Sequence, residues 1–231
     1  MILRVATAGL YGGVDYNQTY VSGSGCTTCG AGATPIPPLV AELSKMGRKD
    51  LDHLVYEGHL LASSRVAGEL RHFTGVEVVP VRSPRRRPDM RYWWLRIPSS
   101  FPRMHPSTAG VLTEGVCPTC GRAGHYGDDM HPVSPVYDDV PESAPDFNLT
   151  WEYFGDWRQV RNTGNKNLVG GCREVIVSQR VRQMLEQLDV RRLVWVPITI
   201  SKKGRLPVTG WSRTGLPNRG MQGSGERTRH E

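Results

Sequence analysis

The chain has 231 residues, a formal net charge of +7 and 38% hydrophobic residues. This length suits one domain or two small ones with a real core, and no stretch approaches the roughly 18 consecutive apolar residues of a membrane span. Residues 202–231 contain seven Lys or Arg and two Glu, which leaves 22 basic and 20 acidic residues, a net charge of +2, for residues 1–201. A nucleic-acid-binding domain usually concentrates positive charge on its body, so the positive net charge is only a weak argument for nucleic-acid binding.

The chain begins with a short predicted strand within residues 1–8. This start lacks the basic region and long apolar stretch of a secretory signal, so we expect a cytoplasmic protein without a membrane partner. A short helix is predicted from Pro38 to Met46, because prolines suit a first helical turn. Residues 50–61 fit a helix or a strand equally well.

One pentapeptide pattern occurs twice, as CTTCG at residues 26–30 and as CPTCG at residues 117–121. Two thiolates three residues apart can grip one ion from a tight turn, and the following glycine permits the backbone conformation of a zinc knuckle. A structural zinc needs four ligands in a tetrahedron, and two knuckles supply four. The sequence therefore predicts one structural Zn²⁺ bound by Cys26, Cys29, Cys117 and Cys120.

Other interpretations of the paired cysteines are redox-active dithiols, two disulfides, or a site that has lost its metal. Neither pair lies between a clear strand and helix, as a thioredoxin-type motif would. Paired thiols kept for metal also suit a reducing compartment. The fifth cysteine, Cys172, is predicted to be a small buried residue.

A second pattern recurs at residues 60–81 and 175–198. Each segment has an apolar pair, then Ser-x-Arg-Val, then apolar residues at helical spacing, then a closing apolar-Val-Pro-apolar stretch. Ser63 and Ser178 are natural N-caps, so each segment predicts a strand, a helix and a returning strand. One apolar helix face is predicted to be buried in each: Val66, Leu70 and Phe73 in the first, Val181, Leu185 and Leu188 in the second.

Along the chain, a knuckle precedes each of the two strand-helix-strand segments. This order favours a duplication with halves at residues 20–110 and 111–201, although two common supersecondary units could also match by chance. Prolines at 80 and 197 indicate edges or ends of the returning strands. The predicted fold is a loop-rich α+β domain over residues 1–201, stapled by zinc knuckles and containing two strand-helix-strand units. Residues 202–231, rich in Gly, Arg and Ser, are predicted to be a flexible basic tail.

Two segments of opposite charge lie between these elements. Residues 82–96 contain six arginines beside Tyr92, Trp93 and Trp94, which suits a nucleic-acid patch or, more simply, a basic loop leading into a strand that buries one Trp.

Residues 123–157 contain eight acids, seven aromatics and no Lys or Arg. They suit a protein-binding surface aimed at a basic partner, or a solvated loop over core aromatics. The candidate contact residues are Tyr137, Asp138, Asp139, Glu142, Asp146 and Trp151.

A catalytic site has little support in the sequence. His125, Asp128 and His131 could form an acid–base or metal set, but no other signature supports them. No phosphate-binding Gly loop, nucleophile elbow or HExxH motif is present. We therefore expect a protein that is not an enzyme.

The double knuckle, its long interval and the closing segment at residues 175–198 resemble the double-CXXCG motif family, which includes the SitI-type immunity proteins of myxobacterial swarm-inhibition toxin systems. The resemblance covers roughly residues 20–200. It implies a cytoplasmic protein without enzymatic activity that binds and neutralises a cognate polymorphic toxin domain, for example a nuclease. The competing hypothesis is a zinc-ribbon protein that binds nucleic acid through the arginines of residues 82–96 and the tail.

Overall fold

The structure, a computed structural model, describes residues 1–5, 14, 16–41, 43, 49–53, 59–83, 88–127, 135–138, 140–155 and 171–201. These residues form a strand-rich α+β fold with several small sheets. The helices are α1 (Tyr16–Thr19), α2 (Ser64–Leu70) and α3 (Gln179–Gln187). The predicted tail, residues 202–231, lies outside the described residues.

The strands of the first part of the chain are β1 (Ile2–Val5), β2 (Leu39–Val40), β3 (Leu51–His53), β4 (Leu60–Ser63), β5 (Glu77–Arg82), β6 (Pro88–Arg96) and β7 (Val111–Glu114). The later strands are β8 (Gly124–Gly127), β9 (Val136–Asp138), β10 (Phe147–Leu149), β11 (Tyr153–Gly155), β12 (Gly171–Cys172), β13 (Val175–Val177), β14 (Leu193–Val196) and β15 (Thr199–Ser201).

The strands form three sheets and one additional pair. Sheet I has the order β2-β5-β6-β4-β3, sheet II the order β10-β13-β1-β14, and sheet III the order β12-β11-β8-β7, while β9 pairs with β15. Segment 60–81 contains β4, α2 and β5, and segment 175–198 contains β13, α3 and β14. In neither segment do the two strands pair with each other.

Each of these strand pairs is separated by a strand from another part of the chain. In sheet I, β6 lies between β4 and β5 and is antiparallel to both. In sheet II, β1 lies between β13 and β14 and is antiparallel to both. Strand β1 therefore lies between the two strands that flank α3, and strand β6 lies between the two strands that flank α2.

The two central strands have equivalent registers. Trp94 of β6 pairs with Leu61 and Val79, and Ile2 of β1 pairs with Ile176 and Val196. The two strands also share a Leu-Arg pair directly after these residues. Ile2 and Trp94 are both buried, so the same position of each sheet contributes to a core.

Matching hydrogen bonds hold the start of each longer helix. Ser63 caps α2 and Ser178 caps α3, each accepting the backbone N–H three residues later. The Ser63 hydroxyl donates to the Asp50 carboxylate at 2.8 Å, and the Ser178 hydroxyl donates to the Asp146 carboxylate at 2.6 Å. The N–H of each serine also donates to the backbone carbonyl of the same aspartate. Each cap serine is thereby fixed to the strand that follows the aspartate.

The main core lies between the two longer helices and the sheets. Val66, Leu70, Val181 and Leu185 are at most 1% exposed there, while Phe73 and Leu188 are partly buried against the same core. A spacing of three and four residues brings these side chains to one face of each helix. Two smaller cores, around Trp94 and around Tyr137, lie beside it.

The helix predicted from Pro38 to Met46 is wrong over residues 38–41 and 43, and residues 42 and 44–46 lie outside the described residues. Leu39 and Val40 form β2, which pairs in parallel with the end of β5, and the peptide bond between Pro37 and Pro38 is cis. Both strand residues are buried, so tertiary pairing outweighs the helix-start signal of the prolines. Pro80 lies at a register shift in β5, in the part of the strand that pairs with β6 alone, because β2 pairs only with Val81 and Arg82. The missing N–H is tolerated there.

Candidate metal centre

Each knuckle is closed by its own backbone. The N–H of Gly30 donates to the Cys26 carbonyl at 2.7 Å, and the N–H of Gly121 donates to the Cys117 carbonyl at 2.9 Å. Gly30 and Gly121 have positive φ angles of 73° and 69°, which glycine adopts without the steric cost that a side chain would add. The CxxCG spacing therefore produces the same tight turn twice.

The four sulfurs of the two knuckles form one cluster. All four Sγ atoms lie within 4.8 Å of one another and could hold a metal ion. Across the knuckles, Cys26 is 3.8 Å from Cys117 and Cys29 is 3.6 Å from Cys120. Chain segments 91 residues apart thus meet at a single set of donors.

These distances fit a tetrahedral ion. With Zn–S bonds of about 2.3 Å, the sulfurs of a tetrahedral site lie roughly 3.8 Å apart, which agrees with both cross-knuckle distances. Because all four donors are protein thiols, such a site leaves no position for water or substrate. Sites of this kind stabilise folds, whereas catalytic zinc sites keep an open position.

The backbone also distinguishes the first and second cysteine of each knuckle. Burial raises the pKa of Cys26 and Cys117, but N–H groups within each knuckle outweigh it and lower the pKa of Cys117 to about 6 and that of Cys26 below its ordinary value. Burial raises the pKa of Cys29 and Cys120. The first cysteine of each knuckle therefore enters the thiolate form that binds metal more readily.

Contacts around the sulfurs join the two knuckles independently of a metal. The hydroxyls of Thr28 and Thr119 are 2.6 Å apart, and the Gly32 N–H donates to the Tyr153 hydroxyl at 2.8 Å. Tyr153 packs against Cys29 and Cys117 in a small apolar cluster. The second knuckle, the first knuckle and strand β11 therefore form one continuous structure around the cysteines.

The predicted partner-binding residues lie in different environments. Tyr137 is fully buried and Asp146 is 8% exposed, so neither presents its side chain to a partner in this structure. Asp138 is partly exposed and pairs with His105 at 3.3 Å, and Glu142 is exposed. Trp151 is half-buried, and Asp139 lies outside the described residues.

The aromatics of the arginine-rich segment mostly face the core. Tyr92 and Trp94 on β6 are buried, and half-buried Trp93 donates its indole N–H to Ser64 at 3.2 Å. Residues 84–87, which include three of the arginines, lie outside the described residues. Base stacking on Tyr92 or Trp94 would require β6 to leave its sheet.

The histidine set considered for catalysis is not assembled in the described part of the chain. His125 lies on β8 and is 3.1 Å from the Thr113 hydroxyl, while Asp128 and His131 lie outside the described residues. Cys172 is half-buried on β12 rather than fully buried, because β12 is an end strand of sheet III.

The sequence pattern missed a group of arginines around Trp151. The guanidinium carbon of Arg103 lies 3.9 Å from the Trp151 ring centroid, and that of Arg122 lies 5.3 Å from it. Arg173 donates to the backbone carbonyls of Leu149 and Thr150 beside this ring. The three arginines are far apart in sequence, so no spacing rule links them. Only the tertiary structure brings them together.

None of the described helices is long and apolar enough to cross a membrane. Comparisons of the chain with protein-family models, curated proteins and solved structures found no match.

Proposed function

We propose that this protein is a zinc-stapled binding protein of the immunity type, which protects its producer by occupying the toxic domain of a cognate toxin in the cytoplasm. The observation that carries the proposal is the closed set of four cysteine sulfurs, all within 4.8 Å of one another. The two cysteine motifs that build it are also the residues on which the resemblance to immunity proteins rests. Zinc is one of the metals that a tetrahedral four-thiolate set holds, and we assign zinc to this site.

The closed site supports binding rather than metal chemistry. Four protein ligands would leave a bound ion no open coordination position, so the ion would stabilise the fold and would not activate water. It would join turns 91 residues apart and so limit the relative motion of the two knuckles. A rigid surface loses less conformational freedom on association, which favours tight binding.

The partner-binding surface that we propose uses the accessible members of the predicted set. Trp151 is half-buried, Glu142 is exposed and Asp138 is partly exposed. Aromatic residues with a polar rim are the usual anchors of protein interfaces. Nucleic-acid binding has less support, because Tyr92 and Trp94 are occupied in a core.

Deleting the gene in the native host tests the proposal without requiring the toxin to be identified first. The deletion strain is expected to lose viability, by at least about tenfold, when it is grown in contact with the wild-type strain. A plasmid copy of the gene should restore survival. The measurement is a count of surviving deletion-strain cells after co-culture on a surface.

The same strain grown alone is the control for a general growth defect. Normal growth alone with killing in co-culture supports an immunity function. Equal survival in both cultures would remove the proposed function, and a growth defect in both would indicate a housekeeping role instead.

A further inference from the structure

Arg103, Trp151 and Arg122 form a stack at the surface, which we call the arginine–tryptophan stack. Arg103 is exposed and Arg122 is half-buried, and the two guanidiniums lie 3.9 Å and 5.3 Å from the indole centroid. Contact with an aromatic ring holds a guanidinium in a fixed plane. The N–H donors around the edge of that plane are the ones that bind a planar anion.

The stack has a cationic donor that the described part of the protein does not satisfy. The Nε atom of Arg122 is buried and has no hydrogen-bond partner among the described residues. Glu152 is 3% exposed and accepts the Met104 N–H at 2.7 Å, and the positive charges of Arg173 and Arg103 act on its carboxylate. Arg103 and Arg173 therefore share one buried carboxylate, and an external anion beside the exposed guanidinium of Arg103 would offset the remaining positive charge.

Comparison of the two knuckles shows that the fold does not require this stack. Arg122 accepts the Cys117 N–H at its carbonyl, as Ala31 accepts the Cys26 N–H in the first knuckle. Ala31 is buried and carries no charge. Gly32, with φ of +81°, leaves room for the Arg122 side chain, because a Cβ there would lie 2.7 Å from its Nη1 atom. A cation at this position therefore serves something other than knuckle geometry.

We propose that the arginine–tryptophan stack binds an aspartate or glutamate side chain of a protein partner. This inference rests on the proposed function, since the partner would be the toxin domain. A single carboxylate is favoured over nucleic acid because residues 123–157, the segment that contains Trp151, carry eight acids and no Lys or Arg, and their charge repels a polyanion more strongly than one carboxylate. A polyanion needs a row of phosphate contacts in a positive field, whereas one carboxylate needs only one guanidinium.

The first test uses variants of the full chain in the deletion strain. Arg103→Met/Arg122→Met keeps the side-chain stems and removes both charges, and it is expected to lose protection and return survival to that of the deletion strain. Arg71→Met is the matched control, because Arg71 stacks on Trp93 at 4.9 Å away from this site, and it should protect fully. Equal protection by the double variant and wild type would overturn the proposal.

The second test does not depend on the immunity function or on the folding of a variant. The Nε–H NMR signals of the purified wild-type protein are titrated with acetyl-hexaglutamate amide and, separately, with single-stranded DNA of equal charge. The peptide is expected to shift the Arg103 and Arg122 signals and to leave the Arg71 signal in place. No shift, or a larger shift with DNA, would overturn the carboxylate assignment. Survival of the deletion strain would overturn only the toxin partner.

A second inference rests on the equivalent pairings of sheets I and II. We infer that the chain is a duplicated repeat, with copies at residues 1–87 and 88–201 that exchange their first strands, β1 and β6. The contacts between Cys26 and Cys117, Cys29 and Cys120, and Thr28 and Thr119 each join equivalent residues. Such self-equivalent contacts are the mark of a twofold axis, which places the metal centre on that axis.

Two contacts farther from the metal centre also match between the two copies. The Thr19 hydroxyl bonds both backbone groups of Val40, and the Thr108 hydroxyl bonds both backbone groups of Val136. These boundaries differ from the halves 20–110 and 111–201 expected from the sequence, because the strand before each knuckle belongs to the repeat. Residues 150–172, with β11 and β12, are then the main insertion of the second copy.

A circular permutant of the full chain tests this inference. Joining Glu231 to Met1 and opening the chain between Arg87 and Pro88 reverses the order of the copies and keeps every strand pairing. In the first copy, the ten residues 83–92 connect Arg82 of β5 to Trp93 of β6. The equivalent connection in the permutant runs from Thr199 to Met1, so it needs Ile200, Ser201 and about eight further residues. The thirty residues of the tail are more than sufficient.

The permutant is expected to bind one metal per chain with the same Co²⁺ absorption spectrum as the natural chain. A control permutant opened between His72 and Phe73 interrupts one copy beside the main core, and its thermal midpoint should fall well below that of the first. Loss of metal binding in the first permutant, or equal stability of the two, would overturn the duplication.

Discussion

Replacing Cys120 with serine is expected to abolish stoichiometric metal binding and to cause the largest loss of stability of any single change considered for this chain. Three thiolates and a hydroxyl hold zinc far less well than four thiolates, and the binding free energy of a structural zinc is part of the folding free energy. Such sites contribute on the order of 10 kcal/mol in small domains, which is comparable with the whole stability of a domain. The measurements are metal content after gel filtration and thermal unfolding followed by circular dichroism.

Cys172→Ser is the matched control for this variant. Cys172 lies on β12 outside the four-cysteine cluster, so its replacement should leave the metal content unchanged and shift the unfolding midpoint only slightly. If Cys120→Ser kept a full equivalent of metal, or if Cys172→Ser lost it, the assignment of the four ligands would be wrong.

Asp146→Ala should cost about 2–3 kcal/mol of folding free energy, because it removes the charged acceptor of three hydrogen bonds. Thr74 is exposed, so water replaces the acceptor of its two donors and the loss comes mainly from the Ser178 bond. The Asp146 carboxylate accepts the Ser178 hydroxyl at 2.6 Å and the N–H and hydroxyl of Thr74 at 3.1 Å and 3.0 Å. Ser178 would also lose the group that orients it as the cap of α3. Urea unfolding at neutral pH measures the change.

Glu142→Ala is the control for Asp146→Ala, because Glu142 is exposed in the same acidic segment and should change stability by less than about 0.5 kcal/mol. The pH dependence gives a second check. Burial raises the pKa of Asp146, but hydrogen bonds from Ser178 and Thr74 outweigh it and hold the pKa below its ordinary value of 3.8. Its stabilisation is therefore present above pH 3.8 and is lost as the pH falls through the lower folded-state value.

In Asp146→Ala, this part of the acid-induced loss of stability should be absent, so its unfolding free energy should fall less steeply below about pH 4 than that of the natural chain. An unchanged acid profile, or a loss at neutral pH no larger than that of Glu142→Ala, would show that Asp146 does not stabilise α3.

The parts of the structure that the sequence predicts are those with a local chemical cause. The CxxCG spacing fixes each knuckle through its own backbone bonds and its glycine, so the cysteine cluster could be predicted although its halves are 91 residues apart. Ser63 and Ser178 mark helix starts for the same reason, because an N-cap acts within three residues. The starts of α2 and α3 follow directly, whereas Phe73, which is predicted on the buried face of α2, lies beyond the end of that helix at Leu70.

The features that the sequence pattern did not predict depend on contacts between distant segments. That β1 lies in sheet II and β6 in sheet I cannot be predicted from periodicity, since the alternation of an antiparallel strand is the same whichever sheet it joins. The acidic composition of residues 123–157 does not predict that Asp146 accepts a hydrogen bond from the cap serine of α3, whereas Glu142 is exposed. Tyr137 likewise resembles a surface anchor in sequence but fills a core with Phe101 and Ile2.

X-ray absorption at the zinc edge of the purified, unlabelled protein tests the shared four-cysteine site most directly. We predict one zinc per chain with four sulfur neighbours at about 2.3 Å and no nitrogen or oxygen ligand. Two sulfur neighbours per metal, or a metal-free protein in which the four cysteines form disulfides, would contradict this site.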